Sequence, residues 1–148
     1  INTLRKNNLR LNWINKTMVN VASFGGTSLL MDFTMPVIAS PSFLEKMEPN
    51  ALNPENYKGL DKNSGILKLM KGSLTANWDI DWWIIDVPVL LMTGHYDKVF
   101  RVPNDIDEIA NSIKKVERIE FPDCGHLIPI EKPNLFAEHI IQFAKTLI

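Results

Sequence analysis

The sequence predicts an α/β fold, and two observations carry that prediction. One is the continuous apolar run Val89-Leu90-Leu91-Met92, preceded by Pro88 and ended by Gly94. Such a run is expected of a strand buried on both faces of a parallel sheet. The other is the succession that this run begins: strand, helix, strand, helix, the alternation of α/β architecture. Ile106, Ile109, Ala110 and Ile113 recur at helical spacing, with Asn104 or Asp105 available as N-cap. Val116 to Phe121 then reads as a second strand, stopped by Pro122. A last helix is expected from about Pro133, a residue favoured in a first turn, with Phe136, Ile140, Phe143, Ala144 and Leu147 as its apolar stripe.

Upstream the pattern changes. Leu4, Leu11 and Ile14 are loosely spaced for a helix ending near Asn15. The β-leaning run Thr17 to Phe24, closed by Gly25-Gly26, predicts a strand and turn, which brings the expected sheet to about three parallel strands. Pro36, Pro41, Pro49 and Pro54 then allow only short helices, for instance around Pro41 to Met47 and Ser64 to Leu74. Met31, Met35, Met47 and Met70, with Trp78, Trp82 and Trp83, suit either the small core of a helical insertion or an adaptable apolar pocket under a lid. The expected division is therefore a core from residues 1–31 and 87–148, with 32–86 as a helical cap.

Composition narrows the function. The 148 residues are 45% hydrophobic and 22% charged, enough for one sizeable core and unlike a disordered chain. Sixteen basic against seventeen acidic residues give a net charge of -1, which demotes nucleic-acid binding by phosphate neutralisation. Arg5, Lys6, Arg10 and Lys16 precede the first acid, Asp32, but are too spread to make more than a solvated helix face. A single cysteine excludes an intramolecular disulfide. No apolar run approaches the roughly 20 residues that cross a bilayer. Because the chain opens on Ile1 and not Met, a preceding segment is expected, and the lack of a visible signal peptide says nothing about localisation.

The chemistry sits in two loops. A right-handed crossover would end both strands on one edge of the sheet, where open α/β sheets hold ligands. The first strand runs out into Gly94-His95-Tyr96-Asp97, the second into Pro122-Asp123-Cys124-Gly125-His126. With neighbouring strands about 4.8 Å apart, the Asp97 carboxylate can meet the His126 imidazole. A carboxylate on Nδ1–H fixes the tautomer and stabilises the imidazolium formed when Nε2 takes a proton. Such a pair still needs a nucleophile.

The string Val87 to Asp97, then Phe121-Pro122-Asp123-Cys124-Gly125-His126, then Glu131-Lys132-Pro133, resembles the C-terminal part of α/β-hydrolases over about Trp82 to Ile148. In that family the strand-Gly-x-x-Asp loop supplies the triad acid, and the Gly-His turn before a Glu-(Lys/Arg)-Pro helix start supplies the base. The resemblance therefore implies Asp97 as acid and His126 as base. It further implies cleavage of an ester or related acyl bond of a small or lipid-like apolar substrate, with no cofactor. The family's nucleophile elbow, G-x-S-x-G, is not in the sequence. Its nearest string, Gly26-Thr27-Ser28-Leu29-Leu30, lacks the second glycine and reads as a turn. The expectation is the C-terminal half of a hydrolase, inactive by itself. An aspartate nucleophile, as in epoxide hydrolases and dehalogenases, is the alternative; Tyr57, alone in the cap, tilts towards serine, because epoxide opening needs cap tyrosines. A non-enzymatic interaction protein on the same fold is the rival from another class.

The remaining candidates read as structural. His95 reads as a positional residue of the first loop, Cys124 as a small buried hydrophobe and His139 as a half-buried neighbour of the last helix's stripe. Asp105, Asp107 and Glu108 suit the start of the crossover helix. No metal-ligand spacing, G-x-G-x-x-G or Walker motif is present.

Overall fold

The computed structural model describes residues 8–148. The expected helix start at Leu4 and the charges of Arg5 and Lys6 lie outside them. The helices are α1 (Leu9–Ile38), α2 (Pro41–Met47), α3 (Gly65–Gly72), α4 (Pro103–Ser112), α5 (Ile128–Glu131) and α6 (Pro133–Lys145). The strands are β1 (Val89–Gly94) and β2 (Val116–Phe121). The described residues form two compact units: Val37–Ser40 with Ile80–Ile148, and residues 8–36 with Pro41–Asp79.

The first unit is built on a parallel pair. β1 and β2 run in register from Val89 opposite Val116 to Gly94 opposite Phe121. β1 is covered on both faces, as its unbroken apolar run requires. Met92 packs with Phe121, Cys124 and Ile128, and Leu90, Ile119 and Phe136 close around them. On the other face Leu91 packs with Ile106 and Ala110 of α4, and Val116 lies against them. β2 carries Glu117, Arg118 and Glu120 on its exposed positions, charges that discourage further strand pairing. The start of α4 differs from expectation. Val102 is the N-cap and Pro103 opens the helix, so Asn104 and Asp105 fall inside its first turn. Proline's fixed φ suits that place better than a side-chain cap one residue later. Along α6 only part of the expected stripe is covered: Phe136 and Phe143 are half-buried, while Ile140, Ala144 and Leu147 are exposed.

The second unit corrects the reading of the N-terminal region. Thr17 to Phe24 is helix, so the described residues hold two strands and not three. The buried positions explain why. Leu11, Asn15, Val19 and Ala22 recur every three or four residues, and all are buried. That is helical periodicity, and burial along it outweighs the β-leaning composition of a short run. Gly25-Gly26 is not a turn after a strand but a kink inside α1, where Gly26 takes φ 71. A side chain there would also run into the Lys58 carbonyl. Residues 8–31, expected in the core with 87–148, thus pack with Pro41–Asp79. α2 spans the expected Pro41–Met47, and α3 follows Ser64, whose hydroxyl accepts from Leu67 N–H as a cap.

Asp32 ties this unit together. Its Oδ2 accepts from Leu52 N–H at 2.9 Å and from the Tyr57 hydroxyl at 2.8 Å. The first bond holds Leu52 at φ 58, a left-handed conformation that costs a residue with a Cβ about 1–2 kcal/mol. The second raises the Tyr57 phenol above its ordinary range, since the hydroxyl that donates to a carboxylate resists losing its proton. Met35, Leu44, Met47, Ala51 and Leu52 line an apolar cavity of about 320 Å³ beside Asp32.

Met92 is 1% exposed at the centre of the sheet's packing. Met92→Ala is expected to lower unfolding stability by about 2–5 kcal/mol, read from the urea midpoint. A loss below about 1 kcal/mol would contradict this account of the core.

Candidate active site

Because β1 and β2 end opposite each other, the loops after them leave side by side. His95 N–H donates to Phe121 O at 3.0 Å and Tyr96 N–H to Cys124 O at 3.0 Å, stitching one loop to the other. A turn closed by Asp97 N–H on Gly94 O at 3.2 Å then points the carboxylate inward. Asp97 is buried, with 0% of its side chain exposed. Its Oδ1 accepts from Val99 N–H at 3.1 Å and Phe100 N–H at 2.8 Å. Its Oδ2 lies 2.7 Å from His126 Nδ1. A carboxylate out of water is costly unless such donors surround it. The two residues named from sequence are brought together.

The imidazole is held from several sides. An ionised carboxylate only accepts, so Nδ1 carries the proton and Nε2 is the basic nitrogen. The Phe100 ring lies against His126 with centroids 4.7 Å apart and a tilt of 39°. His126 N–H donates to Ile38 O at 2.6 Å, and Lys98 N–H donates to Val37 O at 2.8 Å. Those acceptors are terminal carbonyls of α1, which no further helical turn satisfies. The end of one helix therefore joins the loop that carries Asp97 to the turn that carries His126. Gly125 lets the backbones approach this closely, since a Cβ there would run into Ile38 O. Glu131 adds another tie: its carboxylate accepts from Gly125 N–H and Ser40 N–H, each at 3.1 Å.

Sequence reasoning missed Val37–Ser40, Phe100 and the bonding of Glu131. The first left a trace: Pro41 disfavours helix at the residue before it, which marks an extended exit at Ser40. Phe100 left none, because a lone aromatic after a turn has no distinguishing pattern.

The other candidates fall outside the pair. His95 Nε2 meets Glu120 Oε2 at 2.7 Å, and Arg101 reaches the same oxygen at 3.2 Å. Both ends of the loop that carries Asp97 are thus tied to one β2 side chain. Arg118 bonds Glu120 Oε1 at 3.1 Å and Asp107 at 2.7 Å. The His95 bond first, then the charges of Arg101, His95 and Arg118, hold the Glu120 carboxyl below its ordinary 4.5. Cys124 is fully buried, and burial, then the Glu131 charge, pushes its thiol up to about 12, so it stays protonated at neutral pH. His139 meets the Phe121 ring edge-on at 5.6 Å. Ser28 lies within α1, not on a strand-to-helix turn. Among the described residues no group of three His, Cys, Asp or Glu could hold a metal ion.

Solved structures share this arrangement of elements. A thermophilic esterase from Thermogutta terrifontis superposes with a TM-score of 0.73 over 97% of this chain and 53% of its own, at 16% identity. An α/β-hydrolase enzyme from a Medee basin deep-sea metagenome library gives 0.75 over 97% and 54%, at 21% identity. The fold is part of an α/β-hydrolase fold. The enol-lactonase from Burkholderia xenovorans LB400 also matches, with a TM-score of 0.69 over 90% of this chain and 50% of its own, at 19% identity. By sequence, 60 residues are 37% identical to the putative 2-succinyl-6-hydroxy-2,4-cyclohexadiene-1-carboxylate synthase of Bacillus subtilis (strain 168), covering 40% of this chain and 21% of that protein. No family model matches. The chain spans about half the length of these solved α/β-hydrolases.

Two consequences are measurable. Gly125→Ala forces the His126 turn off Ile38 O and is expected to cost on the order of 2 kcal/mol; an unchanged thermal midpoint would refute the close approach. Glu120 stabilises the fold above its ordinary pKa of 4.5, and that contribution fades as pH falls through its lower folded value. Glu120→Gln should therefore be less stable than wild type at neutral pH, and the gap should close on acidification below pH 4.5. A gap independent of pH would refute the linkage.

Proposed function

We propose that this chain carries the acid and base of a hydrolase triad, Asp97 and His126, for cleavage of an ester or related acyl bond in a small or lipid-like apolar substrate. The observation that supports this best is the 2.7 Å bond from His126 Nδ1 to a fully buried, multiply bonded Asp97. A surface ion pair would be served without burial or tautomer control. A triad uses both, to hold the imidazole in one tautomer and to stabilise the imidazolium.

In this reading His126 Nε2 takes the proton of a nucleophile's hydroxyl as it attacks the acyl carbon. The imidazolium, stabilised by Asp97, then passes that proton to the leaving oxygen. In the second half the same nitrogen deprotonates the water that attacks the acyl-enzyme, and returns that proton to the nucleophile's oxygen as its bond to the acyl carbon breaks. The nucleophile and the oxyanion-hole amides come from outside these 148 residues, since none of them forms a G-x-S-x-G elbow. We take the helical unit, which includes most of 32–86 and the apolar cavity beside Asp32, as the cap. Tyr57 already donates its hydroxyl to Asp32, which weighs against a ring-opening role and so against epoxide chemistry.

The 148-residue chain alone is expected to turn over no p-nitrophenyl ester; turnover abolished by His126→Ala would overturn the assignment of the nucleophile elsewhere. In a protein that also supplies the elbow, Asp97→Asn should lower kcat by about 10⁴-fold with KM little changed. A kcat within about tenfold of wild type would remove Asp97 from the mechanism.

A further inference from the structure

We propose that Glu131 is a positioning residue for His126, setting the imidazole through the backbone of the base turn; this rests on the reading of Asp97 and His126 as acid and base. Glu131 closes α5, five residues after His126. Its carboxylate meets the amide just before that histidine: Gly125 N–H lies 3.1 Å from both Oε1 and Oε2. Oε2 also accepts from Ser40 N–H at 3.1 Å, and Ser40 is 2% exposed.

Consecutive amides of the base turn are therefore held by different acceptors. Gly125 N–H is held by Glu131, and His126 N–H by Ile38 O at 2.6 Å. Together these bonds orient the peptide planes on either side of Gly125, and with them the direction in which His126 Cβ leaves the chain. Glycine is the residue whose backbone most needs such a restraint, because it has the widest choice of φ and ψ. Its small size is required for the approach to Ile38 O, so the freedom cannot be removed by a side chain at that position.

The chemistry of the acceptor matters. Both oxygens of Glu131 face N–H donors, and a charged acceptor bonds amides about twice as strongly as a neutral one. Glutamine has the same size and shape but would turn an NH₂ towards one of those donors. Aspartate is shorter but keeps two accepting oxygens. The pair separates a packing role from an accepting one: packing is rescued by Gln, acceptance by Asp.

The test is proton NMR of the 148-residue chain, following the His126 Nδ1–H resonance, which a bond to a buried carboxylate shifts far downfield. Wild type is expected to show it and Asp97→Asn to lose it. In Glu131→Gln and Glu131→Ala, with cooperative unfolding retained by circular dichroism, that proton should exchange with water roughly tenfold faster or more. Glu131→Asp should recover part of the slow exchange. Exchange in Glu131→Gln within about twofold of wild type would overturn the proposal while leaving the Asp97–His126 reading intact. Absence of the resonance from wild type would remove that reading, and the role of Glu131 with it.

Discussion

Parallel pairing of β1 with β2 in one register is the constraint on which the candidate site depends. Gly94 stands opposite Phe121, so both strands stop at the same level. The loops after them must then leave from adjacent points on one edge. Had β2 slipped by one residue, its side chains would have exchanged faces. Phe121 would leave the cluster it forms with Met92, Cys124 and Ile128, and the turn that carries His126 would depart on a different line. Core packing and site geometry are thus one requirement. The residues that fix the register by burial are those that place Asp97 and His126.

A second constraint comes from polar groups that lack a local partner. α1 ends at Ile38 with carbonyls that no further turn can bond. The loops that carry Asp97 and His126 have amides that no strand can bond. Lys98 and His126 donate to Val37 and Ile38, which answers both needs at once. Asp97 follows the same logic from the acceptor side, since its burial is tolerable because Val99, Phe100 and His126 all donate to it. Glu131 supplies the acceptor that Gly125 and Ser40 reach. The bonds that fix the site's geometry are also the solutions to ordinary problems of backbone satisfaction.

The surface around the pair is organised differently. His95, Arg101, Arg118, Glu120 and Asp107 form a chain of partly exposed ion pairs centred on β2. Individually such pairs contribute little at the surface. Their effect is local: Glu120 holds both ends of the loop that carries Asp97. The solved α/β-hydrolases matched over nearly the whole chain share the arrangement of elements, although identities near 20% leave few side chains in common.

β1, β2, α2 and the start of α6 were legible in the sequence, because an unbroken apolar run, proline punctuation and glycine stops are local signals read over a few residues. The pairing of Asp97 with His126 was legible too, since two strands of known polarity leave their following loops on one edge. Thr17 to Phe24 was not. There β-branched composition pointed to a strand, while burial of Leu11, Asn15, Val19 and Ala22 along one helical face decided otherwise. Tertiary packing joined Val37–Ser40 to the site and turned Glu131 towards Gly125. The contacts of Val37–Ser40 with the site connect residues tens of positions apart, about ninety in the case of Ser40 and Glu131. On the Val37–Ser40 side they run through backbone N–H and C=O groups, which nearly every position of a sequence carries alike.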